Sequence, residues 1–293
     1  MEPDQFEHLG YHVDQGVALI VLNRPERHNA WSGPMAVEYR WALHQAEGDA
    51  DVRVVVLTGA GESFCVGADA GALQQIGTAG GAYVKEKTEL PPYPQWCPPG
   101  LRHNHVAPMT VSMPVIAAIN GACAGVGFVL AAYADLRWAS DRAKIATSFA
   151  ALGLPAEYGI GWVLPRLVGS ARALELLYDP APRSAEEAYR LGFVQRVVPA
   201  DDLLPEVTAY ARRLARHSSA ESLRTMKRSV LVDADGEFEG AYRASVADMD
   251  AALAGPDFQE GLRAQRAGER PDFLVRRRSS PVQVGGSGGH LAN

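Results

Sequence analysis

The chain has 293 residues, and its 47% hydrophobic content is enough to build a sizeable core. Its 28 lysines and arginines stand against 34 aspartates and glutamates, so the formal net charge is −6, which disfavours non-specific binding to nucleic acid or to an anionic membrane. Cys65, Cys97 and Cys123 are too few and too scattered for a disulfide scaffold or a metal site. We therefore expect a cytoplasmic protein.

One uncharged stretch, residues 114–134, has the length of a membrane span. Asn120 and the glycines that follow it divide this stretch into a short apolar run and a small-residue helix, a pattern typical of a buried strand followed by a buried helix. The first ten residues have neither a basic nor an apolar region, so we expect no signal peptide and no association with a membrane.

The first two hundred residues alternate between predicted strands and helices. Short β-branched runs predict strands at 17–22, 53–57, 114–119, 136–139 and 144–147. Helical spacing of apolar residues predicts helices at 35–46 and 125–133. This alternation indicates an α/β core over residues 1–200 with crossover connections between parallel strands.

Three further segments differ from that core. Residues 74–113 are rich in proline and lack periodicity, which predicts a lid or mobile loop. Residues 201–266 contain predicted helices and no strand pattern, so we interpret them as a helical region that packs on a partner subunit. Residues 267–293 end in a glycine- and serine-rich sequence that predicts a flexible tail.

Two glycine-rich turns are candidates for chemistry. The segment 59–69, GAGESFCVGAD, directly follows a predicted strand, and its glycines allow sharp turns that leave N–H groups pointing outward. The segment 120–131, NGACAGVGFVLA, leads from a strand into a helix whose free N–H groups can hold an oxyanion or a phosphate. A dinucleotide fingerprint is disfavoured here, because the third glycine of G-x-G-x-x-G is replaced by Leu130.

Five blocks of sequence together resemble the enoyl-CoA hydratase/isomerase family, also called the crotonase family. The blocks, in the order and spacing of that family, are LNRPERHNA (22–30), SFCVGAD (63–69), PVIAAINGACAGVGFVLAAYADLRWAS (114–140), LPRLVGSARALELL (164–177) and SAEEAYRLGFVQRVVPADDL (184–203). The resemblance implies a crotonase-like spiral of ββα units, with a helical C-terminal region that builds homotrimers, often paired into hexamers. It also implies an acyl-CoA thioester substrate, with no metal and no further cofactor.

The resemblance further implies that two backbone N–H groups hold the thioester oxygen. By position these donors are Val66, in the segment with Gly67, Ala68 and Asp69, and Val126, which follows Gly125. Proton abstraction next to a thioester puts negative charge on that oxygen, and each preorganised donor contributes roughly 2.7–4 kcal/mol to the transition state.

The same resemblance indicates contacts to coenzyme A. Arg24, Arg27 and His28 follow the first strand, where family members contact this group, and Lys227 lies in a late helix that often reaches a phosphate. Point charges suit phosphates. For Arg27 and His28 an ordinary solvated surface position is an equally good interpretation.

The sequence departs from the family at both acids of a typical hydratase. By alignment the two glutamates are replaced by Val129 and Phe149, which cannot exchange a proton. A carboxylate occurs instead at Glu157, where several isomerases of the family and a dehalogenase carry a base or a nucleophile. The alternative interpretation of Glu157 is a helix cap.

Several neighbours of these residues have two interpretations. Tyr158 and Trp162 either line an acyl pocket or belong to the core, and His103 and His105 are either bases in the predicted lid or surface residues. Cys65 has no histidine placed to activate it and is better interpreted as a small buried hydrophobe.

The sequence therefore predicts an acyl-CoA enzyme that shifts a double bond through an enolate. Two alternatives remain open. One is a divergent hydratase that activates water through Glu157 or a residue of the predicted lid. The other is a non-catalytic protein that binds acyl-CoA.

Overall fold

The computed structural model describes residues 1–71, 74, 78, 89–232 and 236–276. A six-stranded sheet forms its centre, and a four-stranded sheet lies beside it. In spatial order the larger sheet contains β1 (Leu9–Asp14), β2 (Val17–Leu22), β3 (Val54–Gly59), β5 (Val115–Ile119), β7 (Leu136–Ser140) and β10 (Arg196–Val198). The smaller contains β4 (Ser63–Cys65), β6 (Ala122–Ala124), β8 (Lys144–Ala146) and β9 (Arg183–Ser184).

Successive pairs of strands supply one strand to each sheet. β3, β5 and β7 are parallel neighbours in the larger sheet, and β4, β6 and β8, which follow them in the chain, are parallel neighbours in the smaller one. Among the described strands, only β1 with β2 and β8 with β9 pair antiparallel. The chain therefore advances as a spiral of repeated ββ units, and the predicted α/β architecture is confirmed.

Helices connect and cover these strands. They are α1 (Gly33–Gly48), α2 (Val126–Tyr133), α3 (Ile160–Val168), α4 (Ser170–Tyr178), α5 (Ala185–Leu191), α6 (Leu203–His217), α7 (Ala220–Leu231), α8 (Phe238–Ala254), α9 (Pro256–Ala267) and α10 (Phe273–Arg276). Short 3₁₀ helices span Pro3–Gln5, Pro25–Arg27, Pro99–Leu101, Asn104–Thr110, Ala150–Leu152 and Ala200–Asp202. Within the described ranges no helix is both long and apolar enough to cross a bilayer.

The boundary predicted at residue 201 needs correction, because α6 belongs to the core. Its residues Val207, Ala211 and Ala215 are fully buried in one cluster with residues of β3 and β5. The amphipathic face of α6 thus covers one side of the chain's own sheet. Large apolar side chains remain exposed farther along, as at Phe238 and Met249 of α8.

The segment predicted as a lid is largely anchored. From residue 89 onward it packs on the core: Arg40 Nη2 donates to the Pro91 carbonyl at 3.2 Å, and the Arg40 guanidinium lies 3.8 Å from the centre of the Tyr93 ring. Ala107 and Met109 are buried. Residues 89–113 are thus anchored to the core, which does not fit a mobile loop, and residues 75–77 and 79–88 of the predicted segment lie outside the described residues.

The predicted tail also begins too early. Phe273 is buried, and its carbonyl accepts a hydrogen bond of 2.6 Å from Arg53 Nη2. Residues 271–274 therefore lie against the core, whereas residues 267–270 are exposed, and residues 277–293 lie outside the described residues.

Candidate active site

The two glycine-rich turns lie side by side. β4 and β6 are adjacent parallel strands, so the segments that leave their carboxyl ends emerge together. Gly67 and Gly125 both have a positive φ, of 105° and 52°. A Cβ placed on Gly67 would lie 3.7 Å from the Cα of Gly125, which shows how closely the two backbones approach. The sequence prediction that these turns form one site agrees with this placement.

Backbone N–H groups at these turns are left without acceptors. Val126 is the first residue of α2, where an N–H has no intrahelical partner and the helix dipole favours negative charge. The Val66 N–H makes no hydrogen bond within the described part of the chain. The two turns thus present N–H groups of the kind that bind an oxyanion.

The Ala68 N–H also makes no hydrogen bond to any residue that the structure describes. The Trp31 N–H donates to the Gly67 carbonyl at 2.7 Å, and the Asp69 N–H donates to the Trp31 carbonyl at 2.9 Å. Successive residues of an extended segment point their backbone groups to opposite sides, so the Ala68 N–H faces away from Trp31. Sequence alignment selected Val66 as the donor, whereas this bonding pattern adds Ala68 as a second candidate.

α2 is held rigidly at both ends. At its start, a Cβ on Gly127 would lie 2.0 Å from the Cys65 carbonyl oxygen, so only glycine allows the helix to approach β4. At its end, buried Arg137 donates to the Ala134 carbonyl at 2.6 Å and to the Phe193 carbonyl at 2.7 Å. The free N–H groups at the start of α2 therefore have a fixed position.

The two positions that we expect to correspond to the hydratase acids are apolar and buried. Val129 is fully buried on α2, and Phe149 is 3% exposed. Both belong to the main hydrophobic cluster. Neither position offers a proton donor or acceptor.

Glu157 lies in the turn before α3. Its carbonyl accepts a hydrogen bond of 3.0 Å from the Ile160 N–H, its side chain is half-buried, and burial raises the pKa of its carboxyl. The N-cap position of α3 is occupied by Gly159, and within the described chain the Glu157 carboxylate makes no hydrogen bond to the helix. The capping interpretation is therefore wrong, and Glu157 is a partly desolvated carboxylate.

The residue after Glu157 is held in an uncommon conformation. Tyr158 has a φ of 49°, in the left-handed region that non-glycine residues rarely adopt. The Tyr133 hydroxyl donates to the Tyr158 carbonyl at 2.6 Å, and the His105 and Tyr158 rings stack with centroids 3.6 Å apart. Burial lowers the pKa of His105 to about 4, so its imidazole is neutral at neutral pH.

A cavity of about 780 Å³ opens beside this turn. It lies between the 98–109 segment, the end of α2, the start of α3 and the end of α7. Its lining residues are Pro98, Gly100, Leu101, His103, Asn104, His105, Val106, Met109, Tyr133, Tyr158, Gly159, Trp162, Leu231 and Val232. The cavity thus brings together four residues that the sequence singled out: Tyr158, Trp162, His103 and His105. Sequence analysis missed Tyr133, because it occupies an ordinary apolar position of the predicted helix.

Three of the residues predicted to contact coenzyme A, Arg24, Arg27 and His28, lie in the loop that follows β2. Arg24 donates to the Ala30 carbonyl at 2.7 Å and to Asp69 Oδ2 at 3.1 Å, which ties this loop to the Gly67 turn. Burial alone raises the pKa of Asp69, but hydrogen bonds from the Gly71 N–H and from Arg24 hold it below its ordinary value. Arg24 therefore positions the turn and keeps further N–H donors for a ligand.

Arg27 and His28 remain exposed at the tip of this loop. His28 has a φ of 51°, and its Nδ1 lies 3.4 Å from Ser63 Oγ. Both side chains are therefore accessible to solvent and to a ligand at the tip of the loop.

Lys227 requires correction. Its Nζ donates to the Pro108 carbonyl at 2.8 Å, to the Met113 carbonyl at 3.0 Å and to Asp135 Oδ2 at 2.8 Å. An ammonium group has three N–H donors, and all three are used inside the protein. Lys227 therefore joins α7 to the core and is not available to a phosphate of coenzyme A.

Cys65 is fully buried, and burial raises the pKa of its thiol to about 12. A thiol in this state is a poor nucleophile. The interpretation of Cys65 as a small buried hydrophobe thus agrees with its surroundings.

Comparison with known proteins decides the family. Residues 12–273 match the sequence model of the family described as enoyl-CoA hydratase/isomerase. The chain belongs to this family. A probable enoyl-CoA hydratase of Rhodobacter capsulatus is 34% identical over 92% of this chain and 98% of its own. The 1,2-epoxyphenylacetyl-CoA isomerase of Escherichia coli is 33% identical over 89% of this chain and 96% of its own.

Solved structures lead to the same family. A probable enoyl-CoA hydratase/isomerase from Mycobacterium abscessus superposes with a TM-score of 0.78 at 29% identity, over 90% of this chain and 97% of that one. The enoyl-CoA hydratase/isomerase resemblance and the crotonase-like fold predicted from sequence are both confirmed. Members of this family act on acyl-CoA thioesters, and this chain is an acyl-CoA enzyme of that family.

Proposed function

We propose that this enzyme shifts a carbon–carbon double bond within an acyl-CoA thioester through an enolate. The observation that carries the proposal is where the chain has a carboxylate: Val129 and Phe149 are buried and apolar, whereas the half-buried Glu157 directly precedes Tyr158, which lines the cavity. Hydration by the two-glutamate mechanism needs proton transfer at both replaced positions. Isomerisation needs only one group that removes a proton and returns it.

The reaction balances with that single group. The Glu157 carboxylate removes a proton from the α-carbon of a 3-enoyl thioester, and the electron pair moves onto the thioester oxygen to form a dienolate. The protonated carboxyl then delivers the proton to the γ-carbon, which gives the 2-enoyl thioester and restores the carboxylate. The raised pKa of Glu157 supports this role, because a stronger base removes the α-proton more readily.

The negative charge that develops on the thioester oxygen needs donors. We assign one to the Val126 N–H, where the start of α2 adds its dipole. The second is Val66 or Ala68, whose N–H groups both lack acceptors in the described chain. The free N–H of Ala68 faces away from Trp31 and follows Gly67, which approaches Gly125, so we favour Ala68.

Replacing single amides by esters distinguishes the donors. An α-hydroxy acid incorporated at position 126, 68 or 66 removes one N–H and keeps the side chain. We expect the ester at Val126 to lower kcat by about 10²–10³, the usual worth of one oxyanion donor. The ester at Ala68 should do the same and the ester at Val66 should not. The reverse result would assign the role to Val66, and full activity of all three would remove the oxyanion assignment.

The substitution Glu157→Gln tests the proposed base. It keeps the shape of the side chain and removes its basicity, so turnover of a 3-enoyl-CoA should fall by about 10²–10⁴ while the affinity for a saturated acyl-CoA stays the same. Glu175→Gln, at an exposed position on α4, is the matched control and should leave turnover unchanged. The assignment fails if turnover in the Glu157→Gln enzyme is within a few-fold of the parent.

A divergent hydratase is the second candidate, favoured by the two histidines that line the cavity. Neutral His105 can accept a proton from water as the water oxygen bonds to the β-carbon of a 2-enoyl thioester, and the imidazolium then gives that proton to the α-carbon. Crotonyl-CoA that gains the mass of water in the presence of the enzyme would support this reaction over isomerisation. Binding of thioesters without any turnover would instead indicate an acyl-CoA-binding protein.

We also propose that the chain forms homotrimers or hexamers. The support is the set of large apolar side chains exposed on α8, among them Phe238, Tyr242 and Met249, which are 81%, 57% and 59% exposed. Apolar patches of this kind are typical of protein interfaces.

A further inference from the structure

One wall of the cavity consists of two flat rings held in place. The His105 and Tyr158 rings stack with centroids 3.6 Å apart and planes inclined by 21°. Tyr158 cannot swing freely, because its carbonyl accepts the hydrogen bond from the Tyr133 hydroxyl and Gly159 follows it with a φ of 77°. This wall is therefore preformed before a ligand binds.

The lining of the cavity has no permanently charged side chain. Among the described residues that line it there is no lysine, arginine, aspartate or glutamate. His105 is neutral because burial lowers its pKa to about 4. Leu101, Val106 and Met109 supply apolar surface on the side of the 98–109 segment, and Leu231 closes the end toward α7. A charged acyl group would lose its hydration here without gaining a partner.

The cavity is also larger than a short acyl chain requires. Its volume of about 780 Å³ lies within the range of pockets that enclose drug-sized ligands, ~300–1,000 Å³. A four-carbon acyl group would leave most of this space to water against apolar walls. A bulky group would exclude that water and place its own surface against the rings.

We propose that the acyl group of the substrate is uncharged and carries an aromatic ring, which lies in this cavity against the His105 and Tyr158 rings. Planar rings attract one another in offset or edge-to-face arrangements beyond what burial of their area contributes. This inference rests on the proposed function, because it takes the bound ligand to be an acyl-CoA thioester.

Titration calorimetry with saturated thioesters tests the proposal separately from turnover. The ligands are 3-phenylpropanoyl-CoA, 3-cyclohexylpropanoyl-CoA and nonanoyl-CoA, which have equal numbers of acyl carbons and no double bond to shift. We expect the phenyl ester to bind about 3- to 10-fold more tightly than each of the other two, the worth of an aromatic contact. Equal or tighter binding of nonanoyl-CoA would overturn the proposal.

Substitutions of His105 test whether the preference for the phenyl ester arises at this wall of the cavity. His105→Leu should remove the preference for the phenyl over the cyclohexyl ester, and His105→Phe, which keeps a flat ring, should restore it. Tyr189→Leu is the control, because Tyr189 is an exposed aromatic residue on α5 that does not line the cavity. A preference that persists in His105→Leu would place the ring elsewhere and refute the proposal. If none of the three thioesters binds, the acyl-CoA function fails as well, whereas ring preference without isomerisation would refute only the proposed reaction.

Discussion

Replacing Lys227 by methionine distinguishes a structural lysine from a ligand of coenzyme A. The change removes three hydrogen bonds, those to the Pro108 and Met113 carbonyls and to Asp135. The Asp135 carboxylate keeps one hydrogen bond, of 2.6 Å from the Val115 N–H, but loses its opposite charge.

The expected loss of stability in Lys227→Met follows from the burial of the ion pair. Breaking a buried ion pair by removing one partner costs about 3–5 kcal/mol. The Lys227 side chain is 5% exposed and that of Asp135 is 23% exposed, so we expect the lower end of that range, about 3 kcal/mol. At ~2–4 °C for each kcal/mol, the melting temperature should fall by about 6–12 °C.

Two measurements on the same variant check this reasoning. Thermal unfolding followed by circular dichroism gives the melting temperature, and calorimetry gives the affinities for an acyl-CoA and for the corresponding acyl-pantetheine, which lacks the nucleotide phosphates. The ratio of those affinities should not change in Lys227→Met. Lys144→Met, at an exposed position of β8, is the matched control and should leave both quantities unchanged. An unaltered melting temperature together with a lower affinity ratio would show that Lys227 binds a phosphate after all.

Three more outcomes are expected. Gly127→Ala should destabilise the protein by about 3 kcal/mol or more in urea unfolding, because its Cβ would lie 2.0 Å from a carbonyl oxygen, whereas Gly161→Ala, with open space around it in α3, should stabilise by about 0.5–1 kcal/mol. Burial lowers the pKa of His105 from 6.5 to about 4, so the unfolded chain takes up that proton first as the pH falls. The stability from neutral His105 is thus complete above pH 6.5 and decreases toward pH 4. His105→Phe should lack this part of the acid destabilisation in urea unfolding at matched pH values, and an identical profile would contradict it. Light scattering should give a trimer or hexamer, and Phe238→Asp with Met249→Lys should dissociate it; a monomeric parent chain would refute the assembly.

The parts of the fold that sequence predicts well are those with a strong local signal. The β-branched run of β2 matches the predicted strand at 17–22, and the predicted strand at 114–119 differs by one residue from β5. The glycines of the two turns also mark real constraints: a Cβ at Gly121 would lie 1.8 Å from the Glu62 carbonyl oxygen. Strands such as β4 and β6, of three residues each, are too short to show a period and were missed.

The site is less predictable, because its geometry depends on contacts between distant segments. From sequence Lys227 is a candidate ligand of a coenzyme A phosphate, yet its ammonium group bonds to Asp135, 92 positions away, inside the protein. Asn104–Thr110 lies in a proline-rich segment without periodicity, and only packing against α2 shows that it forms a cavity wall. No local sequence pattern predicts either of these contacts.

The turn at 157–159 connects the proposed base to the wall of the cavity. A non-glycine residue in the left-handed region costs about 1–3 kcal/mol, so the φ of 49° at Tyr158 persists only because its surroundings fix it. The hydrogen bond from Tyr133 and the stack with His105 contribute to this, and both residues belong to the lining of the cavity. Since Glu157 directly precedes Tyr158, the backbone that carries the carboxylate is positioned by the same residues that would contact the acyl group. A ligand that packs against those rings thereby also restrains the base.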